Sequence, residues 1–167
     1  MSLPRRVLFL AAAATVALTS AATAQKRAPG FAQGDRPELG AQIGYGTNHT
    51  KFFIGTQFAY PVMNRLDFYP SFQYYFPGNS VHFWTVDAAV RYWPKLNVKD
   101  SGLYAGGGLD IAHTSVTNFG SSTDVGLTLL SGWQFKTTSN LLPFGQIRVV
   151  IGTADHIDFG GGVNFRL

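Results

Sequence analysis

From Glu38 to Leu167 the chain alternates between apolar residues and polar or small residues with a period of two. Such alternation is typical of β-strands, whose successive side chains point to opposite faces of a sheet. Eight alternating segments can be traced, and short pieces rich in Gly, Asn, Asp, Ser and Pro separate them. Because short connections join antiparallel neighbours, the pattern predicts an all-β protein with eight antiparallel strands in up-and-down order.

The alternation is clearest in "RLDFYPSFQYYF", residues 65–76, and in "VHFWTVDAAVRYW", residues 81–93. Two details fit the pattern poorly. Pro70 lies inside a strand that needs two neighbours and has no N–H for the ladder, so we expect a β-bulge there. In the sixth segment Leu130 falls on the polar face and Ser131 on the apolar face.

Closing eight strands into a barrel leaves an interior only just wide enough for side chains. The apolar faces of the segments carry many Phe, Tyr and Trp side chains, which exceed that volume, whereas the opposite faces are rich in Gly, Ala, Ser and Gln. The sequence therefore predicts a transmembrane barrel with its apolar face toward lipid. A soluble lipid-binding barrel, with the apolar face inside, is the alternative.

Aromatic residues also cluster near strand ends, as expected at the two membrane interfaces. If the first strand runs outward from the periplasm, the periplasmic belt contains Tyr60, Tyr92, Trp93, Trp133, Phe135 and Phe165. The outer belt then contains Tyr45, Phe52, Tyr74, Phe76 and Trp84.

The first 24 residues have the features of a secretory signal peptide: an early Arg5-Arg6 pair, an apolar run too short for a membrane span, and small residues before a cleavage point after Ala24. Residues 25–37 are predicted to form a short flexible leader, and residues 38–167 the barrel. Without Arg5 and Arg6 the formal charge falls from +4 to +2, and no basic run indicates nucleic acid. Charged residues make up 13% of the chain, about half the usual share in soluble domains, which again favours a membrane location.

The final strand carries Gly162, Phe165 and Leu167, and with this element residues 38–167 resemble the small eight-stranded outer-membrane β-barrels of the OmpA/OmpX type. In that family a glycine followed at three and five residues by apolar or aromatic residues is an assembly signal. The resemblance implies export to the bacterial outer membrane, insertion by the barrel-assembly machinery, contact with outer-membrane lipid and lipopolysaccharide, and a monomer. Two positions depart from the family pattern, with Gly160 in place of a polar residue and Leu167 in place of a terminal Phe. No peptidoglycan-binding module is expected after Leu167.

Charged residues on the glycine-rich faces are expected to form a polar network in the interior rather than to line a channel. Asp67 and Arg91 are predicted to pair across neighbouring strands, and Glu38 and Arg166 to bridge the seam where the barrel closes. The complete predicted network comprises Glu38, Asp67, Asp87, Arg91, Asp110, Arg148, Asp158 and Arg166, with Asp110, Arg148 and Asp158 as an upper group. Large inward residues leave no continuous pore, although lateral passage of a small hydrophobic molecule remains an alternative.

The four histidines are scattered, so no metal site is predicted, and nothing indicates a cofactor. One stretch, His113-Thr114-Ser115, is similar to the His-x-Ser pair of outer-membrane lipid A deacylases, and Asp124 on the next strand is the candidate acid. By strand phase His113 and Ser115 point outward and Asp124 points inward, which separates the acid from the pair. We therefore expect a non-enzymatic barrel with a role in envelope integrity or surface interaction, and keep the deacylase as the alternative.

Overall fold

The computed structural model describes residues 36–47, 52–78, 81–95 and 102–167. The predicted signal peptide and all but the last two residues of the predicted leader lie outside these ranges. Within them the chain forms eight strands joined edge to edge in sequence order as a closed antiparallel barrel, so the predicted fold class is confirmed. The strands are β1 (Glu38–Gly46), β2 (Phe52–Met63), β3 (Leu66–Tyr75), β4 (Val81–Tyr92), β5 (Leu103–Val116), β6 (Gly120–Gln134), β7 (Leu141–Gly152) and β8 (His156–Arg166).

The barrel closes between its first and last strands. Glu38 pairs with Arg166 at one end of this seam and Gly46 pairs with Asp158 at the other, so all the backbone ladders have partners and no strand edge is open. We call the end that contains Glu38 and Arg166 the terminal end. The opposite end, which contains the β5–β6 turn, is the distal end.

The side chains of the barrel separate by chemistry as the alternation predicts. Large apolar residues are exposed on the outer surface of every strand, for example Ile43, Leu127 and Phe159, each more than half exposed. Polar residues fill the inside, and Gln73, Thr85 and Asp110 are at most 1% exposed. No helix in the described ranges is long and apolar enough to cross a membrane.

The expected bulge at Pro70 is absent. Pro70 stands opposite Ala88 of β4 without a register shift. On the β2 side the pairing is interrupted between Gln57↔Ser71 and Tyr60↔Phe68 and then resumes in the same register. The proline therefore costs a local gap in one ladder, as its missing N–H requires, but no extra residue. The β2–β3 irregularity lies instead beside the turn, between Pro61 and Met63.

Leu130 and Ser131 take the positions that the phase of β6 gives them. Leu130 is buried inside the barrel at 6% exposure. Ser131 lies on the outer surface, where its hydroxyl donates to the backbone oxygen of Tyr104 at 3.2 Å. This hydrogen bond satisfies the hydroxyl on an apolar face.

One glycine makes room for an aromatic ring in the interior. A Cβ atom built on Gly44 would lie 2.5 Å from Cζ of Phe53 and 2.4 Å from the backbone oxygen of Phe159. Because such distances are far below van der Waals contact, the Phe53 ring can point inward beside β1 only if residue 44 has no side chain. Small residues on the inner faces thus leave room for the few large side chains that point inward.

The longest strands form a hairpin that extends beyond the rest of the wall at the distal end. β5 and β6 contain 14 and 15 residues, and Gly120 to Val125 of β6 pair with β5 but have no described partner in β7. Asn118 and Gly120 adopt positive φ in the turn. Between them Phe119 is 89% exposed, so the tip of the hairpin presents a single large apolar side chain.

Candidate functional site: the closed polar interior

Two clusters of buried charges occupy the interior, and the terminal cluster is centred on Arg91. This residue of β4 is fully buried, and its guanidinium donates two hydrogen bonds to Asp67 Oδ2, from Nε at 3.2 Å and from Nη2 at 2.9 Å. Nη2 also lies 3.5 Å from Glu38 Oε2. The Glu38 carboxylate in turn accepts from the side-chain amides of Gln134 at 3.1 Å and Asn164 at 3.3 Å. The cluster therefore ties β1, β3, β4, β6 and β8 together across the lumen.

Three aromatic rings surround the same guanidinium. The Arg91 Cζ atom lies 4.5 Å from the ring centre of Tyr69, 4.6 Å from that of Trp93 and 5.0 Å from that of Tyr104. Trp93 also donates from Nε1 to Asp67 Oδ2 at 2.8 Å. Cation–π contacts of this kind strengthen when the cation is removed from water.

Trp93 corrects the predicted periplasmic belt. It was expected among the aromatic residues at that membrane interface, but it is 4% exposed and packs inside the barrel against Tyr104. The strand phase explains this position, because Trp93 follows the inward Arg91 by two residues and so continues the same face beyond the last ladder pair.

The distal cluster is centred on Arg148 of β7. Its Nε donates to Asp158 Oδ2 at 3.0 Å and its Nη1 donates to Gln73 Oε1 at 2.7 Å. The guanidinium also contacts Asp87 Oδ2 and the Tyr75 hydroxyl. The Tyr75 hydroxyl donates to Asp158 at 2.7 Å, so this second network connects β3, β4, β7 and β8.

His156 completes the distal cluster and is a residue that the sequence reading missed. It is 3% exposed, and its Nε2 lies 3.4 Å from Asp158 Oδ2 while its Nδ1 lies 2.7 Å from the backbone oxygen of Ala154. Its ring packs edge-on against Tyr75 and Phe83. The inward phase of Asp158, two residues later, is the signal that would have found it.

Glu38 and Arg166 do not form the predicted seam bridge. They are register partners, but the ion pair of Glu38 is with Arg91, which reaches it across the lumen. Arg166 is only half-buried, at the rim of the terminal end, whereas Arg91 is enclosed. Because the Glu38 carboxylate is buried, the buried guanidinium of Arg91 stabilises it more than the half-buried Arg166 would, and this explains why Glu38 pairs with Arg91.

The predicted upper group also differs from the observed one. The structure brings Arg148 together with Asp158, as expected, and adds Asp87. Asp110 lies in the same half of the interior, 1% exposed, but neither of its carboxyl oxygens has a hydrogen-bond partner. In the strand register its neighbour on β4 is Asp87. The described interior thus holds more buried carboxyl groups than guanidinium groups.

Side-chain amides fill the space between the two clusters. Gln57 donates to Asn164 at 2.7 Å, and Gln146 donates to Gln42 at 3.1 Å while accepting from Tyr104 at 3.1 Å. These bonds join residues on strands that are not neighbours in the sheet. Because they cross the lumen at successive levels, the interior is a packed polar core rather than a channel.

The structure separates the acid of the deacylase alternative from the histidine. His113 Nδ1 lies 2.8 Å from Thr123 Oγ1, and the His113 ring stacks on Trp84 with 5.0 Å between ring centres. Asp124 is opposite Ala112 in the β5–β6 register, and Ala112 is buried inside the barrel, so Asp124 is on the inner side of the wall. The partner of His113 among the described contacts is a threonine, and the acid faces away from it.

The family resemblance implies an assembly signal at Gly162, Phe165 and Leu167. These residues lie in the second half of β8 and directly after it, where the chain runs beside β1. Phe165 pairs with Leu39 of β1 and is 45% exposed on the outer surface, and Leu167 is similarly exposed. Gly162 faces inward, where a Cβ atom would lie 2.0 Å from the backbone oxygen of Ala41. The glycine therefore has a structural role in the close approach of β8 to β1.

Several solved β-barrels share this fold at low sequence identity. Neisserial surface protein A is 18% identical over 78% of this chain and 96% of its own, with a TM-score of 0.59. The N-terminal β-barrel domain of Pseudomonas aeruginosa OprF is 19% identical over 78% of this chain and 97% of its own, with a TM-score of 0.58. The Yersinia pestis outer membrane protein Ail, in a phospholipid bilayer nanodisc, is 16% identical over 78% of this chain and 99% of its own, with a TM-score of 0.51.

These likenesses show the shared fold, which is the fold that the resemblance in sequence implied. No family model and no curated protein matches the sequence. In the part of the chain that the structure describes, no group of three or more His, Cys, Asp or Glu side chains is placed to hold a metal ion.

Proposed function

We propose that this chain is an integral protein of the bacterial outer membrane, with the terminal end in the periplasm and the distal end at the cell surface. The observation that carries the proposal is the inversion of the barrel: large apolar side chains cover its outside, and its inside is polar and hydrogen-bonded. In water such an outer surface is a large aggregation-prone patch, whereas in a bilayer it matches the hydrocarbon. The likeness to barrels solved as outer-membrane proteins, one of them in a bilayer, supports this location.

Within that membrane we infer a non-enzymatic role in envelope integrity or surface interaction. The lumen is filled by two charged clusters and the amides between them, which supports a closed barrel without conducted solutes. The projecting β5–β6 hairpin supports the surface role, since Phe119 at its tip is the kind of exposed aromatic anchor that protein interfaces use.

A substitution on the outer surface tests the membrane location. Leu127 is 58% exposed at a ladder position of β6, so Leu127→Arg changes no inward contact. In a bilayer an outward arginine costs up to about 2–4 kcal/mol, the largest value being at the midplane, and we expect less folded protein in the outer-membrane fraction. On a soluble barrel the same change places a charge in water and is harmless.

The matched control is Phe119→Arg, which adds the same charge at an apolar position that lies beyond the ladders of the wall. The measurement is the heat-modifiable gel band in isolated outer membranes. Equal folded yields of the two variants, together with recovery of the wild-type barrel from the soluble fraction, would refute the membrane location.

The functional role is tested on cells with and without the gene for this chain. We expect changed envelope permeability or changed surface binding, an unchanged acylation pattern of lipid A by mass spectrometry, and no stable conductance of the purified barrel in planar bilayers. Loss of surface binding with Phe119→Ala, at unchanged folded yield, would assign the surface role to the hairpin. A lipid A acyl chain removed only when the protein is present would favour the deacylase instead, and uptake of a hydrophobic probe would favour lateral passage.

A further inference from the structure

Asp87 and Asp110 form a pair of facing carboxyl groups in the distal half of the interior. They are direct register partners on β4 and β5, and both point inward at 2% and 1% exposure. The two side chains are therefore adjacent on the inner side of the wall. On the other side of Asp110 the register partner is Gly126, which supplies no side chain to separate Asp110 from Asp87 or to donate to it.

Three oxygen atoms of the pair have no hydrogen-bond donor. Asp87 Oδ2 accepts from Ser71 at 3.1 Å and from Arg148. Asp87 Oδ1 and both oxygens of Asp110 have no partner. Two ionised carboxylates offer only acceptors, so these three buried atoms would stay unsatisfied and the two charges would repel. One proton converts an acceptor into a donor and satisfies an oxygen of each residue at once.

The charged groups around the pair do not neutralise it. Arg148 reaches Asp87 from β7 but is shared with Asp158 of β8, where His156 also lies, so one guanidinium is divided between two carboxyl groups and forms no ion pair with Asp110. Tyr69 and Tyr75 point inward from β3, Arg91 of β4 belongs to the terminal cluster, and Asp124 is on the inner side of β6 in the projecting hairpin. The inward residues of β1 and β2, apart from Glu38 at the terminal end, are Gly, Gln, Phe and Ala and carry no charge.

We propose that the Asp87–Asp110 pair is a proton-binding site, in which one proton on Asp110 is donated in a hydrogen bond to Asp87 Oδ1. Asp87 keeps its negative charge because Arg148 and Ser71 already bind its other oxygen. A metal ion is the less suitable occupant, since the described residues provide no group of three ligands of the usual kinds at this place.

The proposal fixes the sign of a pH effect on stability. In the unfolded chain an aspartate is ionised above about pH 4, whereas the folded pair retains its proton to higher pH. Over that interval the folded state binds one more proton than the unfolded state, so stability falls as the pH rises. This site therefore raises the unfolding equilibrium constant about tenfold for each pH unit, up to the pH at which the pair loses its proton.

Asp110→Asn is the test variant, because an asparagine amide has the shape of the protonated acid and can donate to Asp87 at every pH. Urea unfolding of the full barrel in detergent is measured between about pH 5 and about pH 9. We expect the variant to match the wild type near pH 5, to be the more stable protein near pH 9, and to lose the tenfold-per-unit contribution. Asp158→Asn is the control, since it removes an acceptor of Arg148 and Tyr75 and is expected to destabilise across the range.

A second measurement detects the proton directly and does not depend on unfolding. Infrared spectroscopy of the wild-type barrel with isotope-labelled aspartate is expected to show a protonated carboxyl band near neutral pH, and Asp110→Asn is expected to remove it. Absence of that band in the wild type, or a destabilisation by Asp110→Asn that is the same at both pH limits, would overturn the proposal. A wild-type stability that follows the concentration of Na⁺ or Ca²⁺ instead of pH would also overturn it, in favour of a bound cation. None of these results bears on the membrane location.

Discussion

Replacing Arg91 by Met should destabilise the barrel, because it removes the cation at the centre of the terminal cluster. The guanidinium is fully buried, donates twice to Asp67 and lies 3.5 Å from Glu38. Methionine retains the unbranched stem and can contact the aromatic cage through its sulfur, so the variant removes the charge while leaving little empty space. The main effect is that two buried carboxylates lose their cation.

The size of the effect follows from the burial of both partners. Removing one member of a buried ion pair typically costs about 3–5 kcal/mol, because the remaining charge is left uncompensated. Asp67 retains the Trp93 hydrogen bond and Glu38 retains those of Gln134 and Asn164, so we place Arg91→Met at the lower end, about 3 kcal/mol. Adding Asp67→Asn removes one of the stranded charges, and the double variant should recover about 1–2 kcal/mol of the loss.

Urea titration of the barrel in lipid vesicles measures these differences, with the folded fraction read from gel mobility. Trp93 fluorescence, in a background with Trp84 and Trp133 replaced by Phe, reports the interior independently. Lys95→Met, at an exposed position of the terminal end, is the control and should change stability by no more than about 0.5 kcal/mol.

A charge-based role of Arg91 is refuted if Arg91→Met and the double variant with Asp67→Asn are equally unstable at neutral pH. That result would mean that Arg91 stabilises the barrel through packing with the rings and not through its charge.

Three further predictions concern other parts of the barrel. Deleting residues 165–167 should leave the chain in the periplasm for proteolysis, since Phe165 and Leu167 lie on the outer surface of β8, and outer-membrane recovery of a detergent-resistant truncated barrel would contradict this. Ser115→Ala should leave the lipid A acylation pattern unchanged by mass spectrometry, because His113 contacts Thr123 and Asp124 is on the other side of the wall. Gly44→Val should lower the urea midpoint by driving a side chain into Phe53, and Gly44→Val with Phe53→Ala should restore part of it.

Strand number, strand order and the two faces were predictable from the sequence because a period of two leaves only two choices for each side chain, and barrel size decides between them. Whether a side chain points into the barrel therefore follows from the alternation alone. The same rule places Trp93 and His156 inside when the alternation is continued past the strand ends that the sequence indicates. The pattern of a single strand is enough for such statements.

Partner choice was not predictable in the same way. Strand neighbours are fixed by register, but a long side chain such as Arg148 crosses the lumen to strands far away around the wall. Glu38 consequently pairs with Arg91 and not with its register partner Arg166. The prediction of a bulge at Pro70 was wrong for a related reason. The sequence shows that a ladder hydrogen bond is lost there, but only the three-dimensional sheet shows that a gap in one ladder accommodates the proline without an extra residue.

The seam between β1 and β8 constrains how the chain reaches its folded state. It joins residues as far apart as Glu38 and Asn164, 126 positions along the chain, so its formation carries a large loop-closure entropy. Before it forms, both strands are open edges, and Glu38 lacks the Asn164 amide that β8 contributes to its cluster. An open sheet has no favourable place in hydrocarbon, because its unpaired backbone groups find no water there. Barrel closure and membrane insertion should therefore occur in one cooperative step. A chain that stops before this step keeps open strand edges and is prone to aggregate.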